Sequence, residues 1–162
     1  MIAGGSISPL IGALYLTPLD KLMEDLQATT GIRYQRYMDD YVIFAPTRHK
    51  LRKAIKQMYA VLDDLKVEVH PKKRFIGTTR RGFDFLGYWL EPHRPLMPSQ
   101  VSLTRLIDRS RQLHERTASI TRLRQYVRRW LQWHHSGLRG LTDKRRRFEW
   151  YWRYVLDNYV VS

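Results

Sequence analysis

The chain has 162 residues, 43% of them hydrophobic and 12% aromatic, which is enough apolar material for one sizeable core or two small ones and excludes a disordered or fibrous protein. Basic residues outnumber acidic ones 29 to 15, and the resulting charge of +14 is the balance of a protein that holds a polyanion, so nucleic acid is the expected partner. With no cysteine, a disulfide scaffold, a cysteine-based zinc site, an iron–sulfur cluster and a thiol nucleophile are excluded, and no apolar run approaches the ~18 residues of a membrane span; the expected setting is a soluble protein of the reducing cytoplasm.

Ser8-Pro9 is a helix start, with a hydroxyl able to cap free N–H groups and a proline whose fixed φ suits the first helical position. Pro18 restarts or kinks that helix, and Leu19, Leu22, Met23 and Leu26 then repeat at helical spacing, so a bent helix is expected over 9–28. Residues 33–37 and 41–45 are rich in Tyr, Val, Ile and Phe and flank Asp39-Asp40, the pattern of a β-hairpin with acids at its tip. From 47 to 65, Leu51, Ile55, Met58, Tyr59, Leu62 and Leu65 trace one helical stripe. Short strands are expected at Val67 and Val69, at Phe75-Ile76-Gly77 and over 83–90. The three prolines of Glu91 to Pro98 mark a connector.

Beyond Ser99 the pattern is helical, with stripes through Leu103 and Leu106, through Leu123, Val127 and Trp130, and a last helix over 142–160. Charge follows the same division: 15 basic and 10 acidic residues in 1–98, 14 and 5 in 99–162, +5 and +9 making the +14. The expectation is an α+β protein, an antiparallel sheet with packed helices in 1–95 followed by an all-α helical bundle in 96–162.

Two adjacent carboxylates on a turn repel each other unless a cation neutralises them, and hard Mg²⁺ prefers carboxylate oxygen. Alone, Asp39-Asp40 also reads as a solvated turn, and Asp63-Asp64, inside a helix, is assigned no role. Arg122, Arg124, Arg128 and Arg129 form a basic helical face suited to a duplex backbone, while Trp130 and Trp133 are expected to be buried. His134 and His135 point about 100° apart on a helix and are treated as ordinary residues.

Taken in order, Gly4-Gly5-Ser6-Ile7-Ser8-Pro9-Leu10, Leu19-Asp20, Tyr37-Met38-Asp39-Asp40, His70-Pro71-Lys72-Lys73 and Phe85-Leu86-Gly87-Tyr88 resemble the motifs of bacterial, group II intron-like reverse transcriptases. The resemblance covers residues 3–90 as the polymerase palm and extends to the helical remainder as a thumb. It implies that Asp39, with Asp40 beside it in the YxDD box, holds catalytic Mg²⁺, with Mn²⁺ as a substitute. It further implies that Gly4, Gly5, Ser8, Pro9, Tyr37, Met38 and Lys73 approach the incoming dNTP and the template. Phe85, Leu86, Gly87 and Tyr88 match the hairpin that grips the primer strand. Tyr37 and Met38 read equally as strand packing, Lys73 as part of a solvated basic run, and Phe85 and Leu86 as core.

The family's first catalytic aspartate and its fingers come from upstream of the glycine-rich block. Asp20 does not match that ligand. The resemblance therefore implies a partner or upstream polypeptide that supplies both, and an isolated chain that is inactive. A remnant of a mobile-element polymerase, or a module that binds RNA and DNA without catalysis, is the alternative.

Overall fold

A computed structural model describes residues 8–69, 74–138, 140–143 and 145–159. Among them the chain forms six α-helices and two small antiparallel sheets, an α+β protein. Its residues fall into two compact units, Met1–Phe75 and Ile76–Ser162. The expected boundary at 95/96 lies inside the second unit, because residues 88–89 pair with 97–98 across it and the Tyr88 hydroxyl donates to the His134 carbonyl.

In the first unit, α1(Ser8–Tyr15) and α2(Thr17–Thr30) are separate helices. The break falls at Leu16, and Pro18 sits in the first turn of α2, where its missing N–H costs nothing. Gly4 and Gly5 lie outside the described residues, as does Lys73. Strands β1(Arg33–Tyr37) and β2(Asp40–Phe44) pair in the register Arg33 with Phe44 through Tyr37 with Asp40. Helix α3(Arg48–Asp64) follows, its first turn capped by the Thr47 hydroxyl, which accepts from the Lys50 N–H.

Leu19, Met23 and Leu26 of α2, Ala54, Met58 and Leu62 of α3, and Ile32 and Tyr34 beside and on β1 make one buried cluster. Each fully buried leucine or methionine contributes about 2 kcal/mol of apolar transfer. Ala54 is absent from the apolar stripe but fully buried, and its small side chain lets α3 lie close to α2.

The strands expected at Val67 and Val69 and at Phe75-Ile76-Gly77 do not form. Both valines pack half-buried against the first unit's core, and Phe75 and Ile76 are exposed. Nor is there one sheet across 3–90 among the described residues: β1 and β2 form a two-stranded sheet of their own, and the strands after residue 82 belong to a second, three-stranded sheet.

The second unit holds β3(Phe83–Phe85), β4(Tyr88–Leu90) and β5(Met97–Pro98), then α4(Gln100–Glu115), α5(Ile120–His135) and α6(Phe148–Tyr159). Ser99 and Ser119 cap α4 and α5, their hydroxyls accepting from the N–H groups of Ser102 and Arg122. Leu103, Leu106, Val127, Tyr151 and Val155 form the core. Helix α6 begins later than expected because Leu96 takes up the chain before it: the Leu96 N–H donates to Leu141 at 2.7 Å and the Asp143 N–H to Leu96 at 2.9 Å.

No helix among the described residues is long and apolar enough to cross a membrane.

Candidate functional site

The pairing of Tyr37 with Asp40 leaves Met38 and Asp39 as the two central residues of the hairpin turn, so Asp40 opens β2 rather than sitting in the loop. Met38 has φ +53°, the left-handed region, while Asp39 does not share it, the pattern of a type II′ turn. Glycine normally fills that first position, and a methionine there stores strain of about 1 kcal/mol or more. Tyr37 is 57% exposed and Met38 51%, so both present much of their side chains to solvent.

Asp39 and Asp40 are also exposed, and neither makes an ion pair among the described residues. Their donor chemistry fits a hard divalent cation. Among the described residues no third His, Cys, Asp or Glu joins them in a metal-binding group, so the pair is right in kind and partial in number.

Behind the turn, strand alternation puts Tyr34 and Arg36 on the face toward α2. The Arg36 Nε donates to Asp20 Oδ1 at 2.8 Å and its Nη2 to Asp20 Oδ2, making a two-pronged ion pair. Nη1 also donates to the Met38 carbonyl at 3.0 Å, Nη2 to that of Ala13 at 3.4 Å, and the Tyr34 hydroxyl to Asp20 Oδ1 at 3.0 Å. The Arg36 hydrogen bonds hold the Asp20 carboxyl below the usual carboxylate range against the opposing pull of burial, and burial with Asp20 beside it pushes the Tyr34 phenol up. This network was not legible in the chain order: Asp20 and Arg36 lie sixteen positions apart. The side chains of Ser8 and Pro9 lie outside the described residues.

In the second unit, Leu86 (φ +52°) and Gly87 (φ +80°) form a type I′ turn between β3 and β4. The Gly87 carbonyl accepts from the Ser99 N–H at 2.9 Å, which ties the turn to the start of α4. Phe85 is half-buried and Leu86 exposed. Tyr88 donates to the His134 carbonyl at 2.7 Å and stacks on the His134 ring at 4.2 Å.

Arg122, Arg124, Arg128 and Arg129 are all exposed on α5. The guanidinium groups of Arg124 and Arg128 lie over the Phe148 ring, 5.5 and 5.1 Å from its centroid, which orders them while leaving their N–H groups open to phosphate. Trp130 is half-buried, whereas Trp133 is 64% exposed rather than buried, since it lies on the side of α5 turned away from the core. His134 is not ordinary: it is fully buried between Tyr88 and Trp130, with both ring nitrogens unpartnered among the described residues.

No curated protein matches the chain. A comparison with family models matches residues 1–90, more than half of the chain, to the family described as Reverse transcriptase (RNA-dependent DNA polymerase). That segment contains the strained turn and its paired aspartates, and the chain belongs to the reverse transcriptase family.

Proposed function

We propose that this chain is the palm and thumb portion of a bacterial, group II intron-like reverse transcriptase, and that it extends DNA on an RNA template when a polypeptide carrying fingers and the first catalytic aspartate completes it. The observation that carries this reading is the exposed Asp39-Asp40 pair on a tight turn within the family-matched segment.

Asp39 and Asp40 would hold Mg²⁺, which supplies charge stabilisation for the attacking 3′ oxygen and the leaving pyrophosphate. Exposed Tyr37 and Met38 offer an aromatic and a flexible apolar surface, which supports stacked bases without reading them. The glycine-rich block Gly4-Gly5 and the α1 start at Ser8-Pro9 would admit template and dNTP closely, and Lys73 would supply a point charge to phosphate. The 85–88 turn would grip the primer backbone. Arg122, Arg124, Arg128 and Arg129 would follow the phosphates of the template–primer duplex.

Primer extension tests this directly. The 162-residue chain alone is expected to extend little in millimolar Mg²⁺, and the chain supplied with a reverse transcriptase fragment bearing fingers and first aspartate to extend a primer. Asp39→Asn abolishes that activity, because a neutral amide cannot hold the metal charge. Robust extension by the chain alone would refute the partial ligand count. Salt-sensitive duplex binding with no extension under any complementation would select the second reading, a non-catalytic module whose duplex contacts would use the same guanidinium pair over Phe148.

A further inference from the structure

We infer that Arg36, oriented by Asp20, is a positioning residue for the aspartate turn: it clamps the Met38 carbonyl and thereby sets where Asp39 projects. The inference rests on the metal-holding role proposed for Asp39 and Asp40, and it goes beyond that role by assigning work to two residues that would touch neither metal nor substrate.

The physical reason lies in the peptide plane. The Met38 carbonyl and the Asp39 N–H belong to one rigid unit, so fixing the carbonyl fixes the bond that leads into the Asp39 Cα. Met38 sits at φ +53°, a conformation that a non-glycine residue leaves unless its surroundings hold it. A charge-assisted hydrogen bond of 3.0 Å from Arg36 Nη1 to that carbonyl is such a hold.

Arg36 is itself pinned. Two of its N–H groups engage both oxygens of Asp20 in the first turn of α2, and Nη2 also reaches the Ala13 carbonyl, one of the open carbonyls at the end of α1. Four of the five guanidinium N–H donors thus take part, and the Arg36 side chain is only 12% exposed. Tyr34 steadies the Asp20 carboxylate from the other side at 3.0 Å. The turn is thereby tied through one planar group to both helices, although the hairpin alone would leave it attached only by its strands. A lysine has the charge but not the fork, and cannot serve Asp20, Ala13 and Met38 together.

The experiment uses the ¹⁵N-labelled full chain with two variants, Arg36→Lys and Asp20→Asn, each checked for folding by its amide spectrum. The first readout is backbone order at Met38 and Asp39, expected to fall from the rigid range near ~0.85 toward ~0.6 in either variant. Asp20→Asn is the sharper probe, since Asp20 touches no atom of the turn. The second readout is the Mn²⁺ concentration that half-broadens the Asp39 and Asp40 amides, expected to rise about tenfold, the worth of one charge-assisted hydrogen bond.

Unchanged order and unchanged Mn²⁺ response in a folded variant overturn the inference, and either variant suffices if the other does not fold. If Mn²⁺ broadens these amides no more in the wild-type chain than in Asp39→Asn, the metal-holding role fails by itself, and the order measurement still decides the clamp.

Discussion

Acidification should destabilise the second unit through His134, and replacing that residue by phenylalanine should remove this contribution. The His134 ring is fully buried between Tyr88 at 4.2 Å and Trp130 at 5.4 Å. Burial, with the His135 charge adding to it, pushes its pKa down from 6.5 to about 4. Between those two values the unfolded chain binds a proton that the folded chain refuses. Stability is therefore full above about pH 6.5, falls as the pH drops through this window, and the loss levels off below about pH 4.

At about 1.4 kcal/mol per pH unit, the whole window is worth up to about 3 kcal/mol. For a unit of this size that corresponds to a loss of roughly 10 °C or more in Tm. His134→Phe keeps a flat ring between the same neighbours and removes two unpartnered buried nitrogens, so at pH 7 it should be at least as stable as the wild type. All five tryptophans lie in the second unit, so thermal melts followed by tryptophan fluorescence report that unit alone. The Tm gap between variant and wild type should widen steadily from pH 7 to pH 4. A gap that stays constant across that range would refute the assignment of the acid sensitivity to His134.

Gly82→Ala should destabilise the same unit by about 2 kcal/mol, because an added Cβ would meet the Trp89 ring at 2.5 Å and the backbone there has φ +69°; the fluorescence melt at pH 7 reads it. Replacing Arg128 and Arg129 by alanine should lower the salt slope of duplex binding by about 1.8, as expected for the loss of two phosphate contacts, and an unchanged slope would exclude both from the backbone. Of the two, Arg128→Ala should have the larger effect on stability, since Arg128, unlike Arg129, lies over the Phe148 ring; separate melts of the single variants decide it.

Helices and turns were legible in the sequence because their signals sit within a few residues of the structure they make. Pro18 restarting a helix, the apolar stripes from 47 to 65 and beyond Ser99, and the alternating run on either side of Asp39-Asp40 all act locally, and each marks an element that forms. The paired aspartates, as a motif, were equally plain. What tertiary structure decided is which surfaces meet. Val67 and Val69 carry a strand pattern but pack half-buried against the core without pairing into a sheet. Trp130 and Trp133 stand three positions apart on one helix, yet one is half-buried and the other mostly exposed, because the orientation of α5 over the core, not the residue type, sets their burial. The same holds for the candidate site. A carboxylate on α2 and a guanidinium on β1 become a single clamp only when the chain folds them together, and no local pattern encodes a partner sixteen residues away.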